Sequence, residues 1–312
     1  MKTSIKKLLL LGICIILALS LLGACTPADE QYDPQPDPDE PHIPMFIIIR
    51  EEGSGTRAAF EELFANNSFG THTFYSSLHM QYAVESDFFT IGYISLGFKD
   101  DFVKALYIDG VAPTLENVIN GSYRFTRPFN LITRQDFSGV AQDFYNFILS
   151  LEGQDILEAH GFARVHQGQP FSGTLEPGLV RINGSSSMAA VMEELAFAYM
   201  YLNRNSSIEI QATNSAVGLE FAPEDSIYVY QQASPYNLYL HPGAIFDIGM
   251  VSREVAINEL AANLNSTTIA HDGIAVIVNH ANAINGLDSE AVSAIFNGEI
   301  DNWLDDVFEQ YR

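Results

Sequence analysis

Cysteine is almost absent from this chain. Cys14 and Cys25 are the only two in 312 residues, and Cys14 lies in an N-terminal apolar run. No internal disulfide is therefore expected in a processed chain. Cations are scarce as well: 15 Lys and Arg face 39 Asp and Glu, a formal charge of −24. No basic run offsets that charge, which argues against nucleic acid and anionic membrane surfaces as partners. The phosphate loop of nucleotide hydrolases and the Gly-x-Ser-x-Gly elbow are both missing. So is any fixed-period repeat. The histidines at 42, 72, 79, 160, 166, 241, 271 and 280 show no zinc-protease spacing,. The acidic pairs Asp100-Asp101 and Asp305-Asp306 read as solvated faces,. No nucleophile has a base beside it in sequence. Neither an enzyme nor a metal or cofactor site is expected. Apolar residues are plentiful, 47% against 17% charged. That is enough for real cores, and the length fits one large domain or two lobes.

The first 24 residues are read as a targeting segment. Lys2, Lys6 and Lys7 precede the apolar run Leu8 to Leu22, which is rather short for a membrane span,. Leu22-Gly23-Ala24-Cys25 resembles the lipobox of bacterial lipoproteins, with Cys25 as the lipid-bearing residue. The alternative is an ordinary secretory signal with a chance cysteine. Loss of the three signal lysines leaves 12 basic residues against 39 acidic ones. Thr26 to Pro44 holds six prolines and six acidic residues, so residues 25–44 are expected to form an extended tether,. Lipid and tether together place the protein on the extracytoplasmic face of the cell membrane.

From Met45 onward, apolar strands alternate with amphipathic helices, which predicts an α/β fold with parallel sheets,. Strands are expected at Met45–Ile49, Phe89–Leu96, Val103–Ile108, Phe129–Thr133, Leu179–Ile182, Ile208–Gln211, Ala244–Gly249 and Thr268–Val278. Helices are expected at Thr56–Ala65, Leu115–Ile119, Val140–Leu157, Met188–Leu202, Glu254–Leu264 and Ser289–Phe296. The Tyr- and Pro-rich stretch Phe221 to His241 reads as an insertion; its tyrosines 228, 230, 236 and 239 either contact a partner or pack the loop.

Three places share a strand, a Ser/Thr/Gly turn and a helix start: Ile47 to Arg57, Val180 to Met188 and Ile208 to Ser215. Unsatisfied N–H groups and the positive end of the helix dipole meet at such turns. Glycine admits an anion to the backbone, and hydroxyls add donors. Any one of these turns is explained by plain capping; three together point to an oxyanion site. Arg50 closes an apolar strand, so its guanidinium should be partly buried and needs an anionic partner,. Arg57 is either a site cation or a surface one. Glu52 is expected to orient Arg50 by an ion pair, or else to be a solvated loop acid.

Arg50-Glu51-Glu52-Gly53-Ser54-Gly55-Thr56-Arg57 resembles the signature of the phosphate-binding proteins of ABC-type phosphate importers. Ile91 to Phe98, Ile108 to Thr114, Arg127-Pro128-Phe129, Asp247 to Met250, Asp272 to Asn279 and Ile295 to Trp303 resemble that family too. The likeness covers nearly all of Met45 to Val307. The order differs, since the second half of the family pattern here precedes the first. The chain thus resembles a circularly permuted member, cut between Trp303 and the strand before Arg50. A gene fusion whose halves do not close on each other and a swapped dimer remain alternatives.

The resemblance implies the two-lobed, type II periplasmic-binding-protein-like fold, with an anion clamped between α/β lobes. Lobe A would be residues 45–126 plus 272–312, and lobe B residues 127–271. It implies contacts to inorganic phosphate, or a similar oxyanion, from Ser186, Ser187 and Ser215 on one side and Arg50, Ser54, Gly55 and Thr56 on the other. Ser252 stands where some relatives carry an aspartate that accepts a proton from bound phosphate; it can still accept a hydrogen bond, but sulfate rejection is then less assured. Partners implied are the membrane subunits of an ABC permease. A different oxyanion, or a surface interaction module that has lost its ligand, are the competing readings.

Overall fold

The computed structural model describes residues 42–64, 68–137, 139–220 and 246–311. The targeting segment, Cys25, most of the tether and the Phe221–His241 insertion lie outside the described residues. The first half of the chain runs β1 (Phe46–Arg50), α1 (Gly55–Phe64), β2 (His72–Phe74), α2 (Ser77–Ser86), β3 (Thr90–Ser95), β4 (Val103–Ala105), β5 (Tyr107–Ile108), α3 (Leu115–Ile119), β6 (Thr126–Arg134), α4 (Gly139–Leu149) and α5 (Leu151–Ala159). It continues with β7 (Ala163–Arg164), β8 (Gly178–Ser185), α6 (Ala189–Leu202), β9 (Ser206–Thr213), α7 (Ser215–Leu219), β10 (Ile248–Val251), β11 (Leu264–Asn279), β12 (Gly286–Leu287) and α8 (Ser289–Phe296).

The sheet corrects the expectation of parallel pairing throughout. One mixed sheet runs β2-β1-β3-β11-β6-β10-β8-β9, with β4 and β7 also on β11. Its flanks are parallel: β1 with β2 and β3, and β8 with β9 and β10. Its centre is antiparallel, because β11 runs against β3, β6 and β4, and β10 runs against β6. The hinge of this arrangement is the 16-residue β11. Its residues 264–273 pair with β6, and its residues 274–278 pair with β3. Strands buried on both faces read as unbroken apolar runs, as in Ile47-Ile48-Ile49 and Ile274 to Val278,.

Two large cores lie along this sheet. One gathers Ile47, Phe60, Tyr93, Val276 and Phe296, drawn from both ends of the chain. There the Phe60 ring stacks on Tyr93 at 4.0 Å and meets Phe296 edge-on at 4.6 Å. The other gathers Phe129, Phe144, Phe147, Ile182, Leu195 and Tyr199 from the middle of the chain. Inward residues at helical spacing bring α1 and α4 onto these cores, through Ala59, Phe60 and Phe64 and through Val140, Phe144 and Phe147,.

Several boundaries differ for local reasons. The helical pattern from Val140 to Leu157 is two helices, because Ser150 breaks it. Its hydroxyl accepts from Gly153 N–H and also donates to the Phe147 carbonyl,. The Val103–Ile108 strand is β4 and β5, on different partners. The expected helix Glu254–Leu264 does not form. Leu264 opens β11 opposite Arg134, and Glu259 is held by Arg253 and Ala256 N–H in a 3-10 turn. That stretch buries only Val255, Leu260 and Leu264 against a small cluster, and Ile257 is 93% exposed, so no core face rewards a helix. Strand β2 and helix α2 were not legible in the apolar pattern. No helix among the described residues is long and apolar enough to cross a membrane.

Candidate functional site

All three strand–turn–helix turns converge within one chain, together with a fourth. Strand β1 delivers Arg50, and the turn after it delivers Ser54, Gly55 and Thr56 to the start of α1. Strand β8 delivers Ser185, Ser186 and Ser187, and β9 leads to Ser215. The fourth turn joins β2 to α2 and delivers Ser77, which the sequence pattern did not single out. Strand β10 ends at Val251, and Ser252 follows it beside them.

Arg50 is 2% exposed. Its carboxylate partner is Glu51, correcting the assignment of that role to Glu52. Nε and Nη2 donate to the two Glu51 oxygens at 2.8 and 2.9 Å. Glu52 sits one residue further on the turn and is exposed to solvent, so it gains nothing from the buried guanidinium. Arg50 spends its other contacts on hydroxyls: Nη1 donates to Ser77 Oγ and Nη2 to Ser186 Oγ, each at 3.2 Å. The Arg50 N–H donates to the Tyr93 hydroxyl, whose pKa burial pushes above the usual tyrosine range, so it stays a neutral phenol,. Arg57 ties back to this strand, donating to the Arg50 carbonyl and to Glu61.

The hydroxyls form two groups, joined by the Ser187 N–H donating to Ser185 Oγ at 3.3 Å. Thr56 Oγ1 lies 2.8 Å from Ser187 Oγ, which lies 3.2 Å from Ser77 Oγ. Ser252 Oγ lies 2.7 Å from Ser185 Oγ and 3.3 Å from Ser215 Oγ. Ser54 instead caps its own helix, accepting from Arg57 N–H at 3.3 Å. Gly55 is glycine for want of space: a Cβ there would fall 2.2 Å from Ser215 Oγ and 2.6 Å from Ser252 Oγ. Gly53 has φ +83°, and its carbonyl accepts from Ala216 N–H at 3.2 Å, a main-chain tie between the α1 turn and the α7 turn,.

A second arginine stands under the cluster. Arg127 of β6 faces Asp272 of β11 directly across the ladder, donating from Nε and Nη2 to Oδ2 at 3.0 and 2.9 Å. Its Nη1 donates to the Ser252 carbonyl and hydroxyl at 3.1 and 3.2 Å. Burial pushes the Asp272 carboxyl up, and the adjoining guanidinium pulls it back,. The short run Arg127-Pro128-Phe129 identified the strand but not this role; only a cross-strand register could have paired positions 145 residues apart. Among the described residues no His, Cys, Asp or Glu group is arranged to hold a metal ion.

Chemically, the arrangement offers convergent hydroxyls around the Arg50 guanidinium, with Arg127 reaching them through Ser252, in a buried place. Hydroxyls and guanidinium groups suit a small oxyanion, because each of its oxygens can take several short charge-assisted bonds. Among the described residues no general base touches a candidate nucleophile.

Comparison with known proteins agrees with this chemistry. A PBP superfamily domain model matches residues 166–310. The phosphate-binding protein PstS 2 of Streptococcus agalactiae serotype V is 36% identical over 272 residues, covering 83% of this chain and 86% of the relative. PstS 2 of Streptococcus pneumoniae serotype 4 is 32% identical over 269 residues, covering 82% and 86%. The crystal structure of a phosphate ABC transporter phosphate-binding protein from S. pneumoniae TIGR4 superposes with a TM-score of 0.63 and 31% identity, covering 85% of this chain and 100% of that one. With identity above 30% sustained over more than four-fifths of both sequences, the chain belongs to the PstS family of phosphate-binding proteins.

Proposed function

We propose that the protein captures inorganic phosphate outside the cell and delivers it to the membrane subunits of an ABC-type importer. The observation that carries this reading is the meeting of Arg50 and Thr56 with Ser186 and Ser187 in one buried cluster. Phosphate would lie among Arg50, Thr56, Gly55, Ser186, Ser187, Ser215 and Ser252, with Ser54 holding the first turn of α1. The relatives are named as phosphate-binding proteins, which supports capture rather than catalysis.

Residues 45–126 plus 272–312 would make one lobe and residues 127–271 the other, closing by a hinge motion that the permease reads. The two separate cores support that division. The order of segments is proposed to be a circular permutation of the family pattern. Cys25 would carry the lipid and residues 25–44 the tether.

Isothermal titration with sodium phosphate should give saturable one-site binding, and Arg50→Ala should weaken it at least about 100-fold through the loss of charged hydrogen bonds. Absence of heat at millimolar phosphate, with the fold intact, would favour the interaction module instead. Mass spectrometry of the processed N-terminus decides whether Cys25 is acylated.

A further inference from the structure

Arg50 ends β1 at a place where the sheet holds the chain unevenly. On one side β2 stays in register up to Arg50, opposite Phe74, and Glu51 N–H donates to the Phe74 carbonyl at 3.1 Å. On the other side the ladder with β3 registers only Phe46 and Ile47. Side chains complete what that ladder leaves open. The Arg50 N–H donates to the Tyr93 hydroxyl at 3.2 Å, and the Arg50 carbonyl accepts from Arg57 Nη1 at 3.3 Å. Both groups are tied to α1. Arg57 stands in its first turn and is paired there with Glu61 at 2.8 Å. The Tyr93 ring stacks on Phe60, one turn after Thr56, with the two planes 7° apart. Precision matters at this point. The bonds from Arg50 to Ser77 and Ser186 are both 3.2 Å, at the long end of the usual range, so a small displacement of the strand end would lose them,.

We propose that Tyr93 and Arg57 are positioning residues for phosphate binding, which together hold the Arg50 main chain in a set place relative to the Gly55–Thr56 turn. The proposal rests on the phosphate reading of the site. A strand end held by a ladder on one edge only can swing about that edge. Here the swing is stopped by two side chains that belong to, or lean on, the helix whose start faces the same cluster. The guanidinium and the α1 turn are thereby fixed to each other. The Tyr93 hydroxyl suits this task, because it accepts from a buried N–H that the β3 main chain does not reach, and a buried N–H left without an acceptor is costly,. The fork of Arg57 suits it too, since Nε takes Glu61 while Nη1 takes the Arg50 carbonyl,. Arg57 thus has a role beside the two that the sequence leaves open. It supplies a fixed bond to Arg50, not charge to the ligand.

The test is titration calorimetry of the whole protein with sodium phosphate, beside scanning calorimetry, for the wild type, Tyr93→Phe, Arg57→Met and Tyr123→Phe. Tyr93→Phe keeps the ring against Phe60 and removes only the acceptor. Tyr123→Phe is its matched control: that buried hydroxyl donates to the Ile274 carbonyl at 2.7 Å and, among the described residues, bonds no member of the cluster. Both tyrosine variants should lower the melting temperature by about 2–4 °C. Only Tyr93→Phe should weaken phosphate, by about tenfold, with Tyr123→Phe within about twofold of the wild type. Arg57→Met, made on a partly exposed side chain, carries the test should Tyr93→Phe fail to fold. It should also weaken phosphate about tenfold, and the loss should persist in 1 M sodium chloride, where charges are screened beyond about 3 Å. Wild-type affinity in a folded Tyr93→Phe overturns the role of Tyr93, as does an equal loss in Tyr123→Phe. A loss in Arg57→Met that vanishes in salt makes Arg57 a source of charge and overturns its role as a clamp. Failure of the wild type to bind phosphate overturns the phosphate reading itself.

Discussion

The described residues contain two buried arginine–carboxylate pairs of nearly the same chemistry, and they do different things. Arg50–Glu51 is made by neighbours in sequence, at the end of a strand, and the guanidinium keeps two further bonds for Ser77 and Ser186. Arg127–Asp272 is made across a ladder, with both side chains at most 1% exposed, and stands where β11 passes from one set of partners to the other. The first pair presents charge to the cluster; the second holds the strands that carry the cluster and reaches it through one serine. Equal chemistry therefore gives no guide to role. What separates the pairs is where the remaining guanidinium protons go.

This contrast is open to breaking. Asp272→Ala should have the largest effect on stability, about 3–5 kcal/mol, because it strands Arg127 without an anion. For a protein of this size that is a fall in melting temperature of about 10 °C by scanning calorimetry. Arg50→Ala should cost less stability, since Glu51 lies nearer solvent, but should remove most phosphate affinity. If Arg50→Ala proves the more destabilising of the two, the division of labour is wrong. Gly55→Ala comes next: its methyl would collide with Ser215 and Ser252, and phosphate affinity should fall by about tenfold or more as the α1 turn is displaced,. Thr56→Val removes one hydroxyl contact with Ser187 and should cost about 1 kcal/mol of binding or stability,. Glu52→Gln should change stability by less than about 0.5 kcal/mol, whereas Glu51→Gln should be felt, which sharpens the assignment of Arg50's partner.

Arg50 was legible in the sequence for a physical reason. A charge ending the run Ile47-Ile48-Ile49 is buried wherever that strand is buried, and the turn residues after it have local work to do. The serines of the other turns were legible for the same reason. Ser77 was not, because strand β2 has three residues and carries no apolar run of its own to announce a turn. Arg127 and Asp272 each end up beside the site by pairing in register, and register is a property of two strands, not of either sequence. The choice between Glu51 and Glu52 is similar: both are adjacent acids, and only the path of the turn decides which one stays inside. The failed helix at Glu254–Leu264 shows tertiary context winning, since β11 takes Leu264 for its ladder with β6.

Strand β11 also bears on how the chain assembles. It is the last long strand to be synthesised, yet it sits at the middle of the sheet. Until it arrives, β3 lacks its neighbour about 180 residues downstream, and β6 is open on the side away from β10. The sheet then exists only as two separate pieces, each with a bare hydrogen-bonding edge of apolar sequence. Such edges invite pairing with other chains, and closing contacts so distant in sequence is slow. Folding of this protein should therefore be late and concerted, with the aggregation hazard concentrated in nascent or truncated chains that end before Leu264.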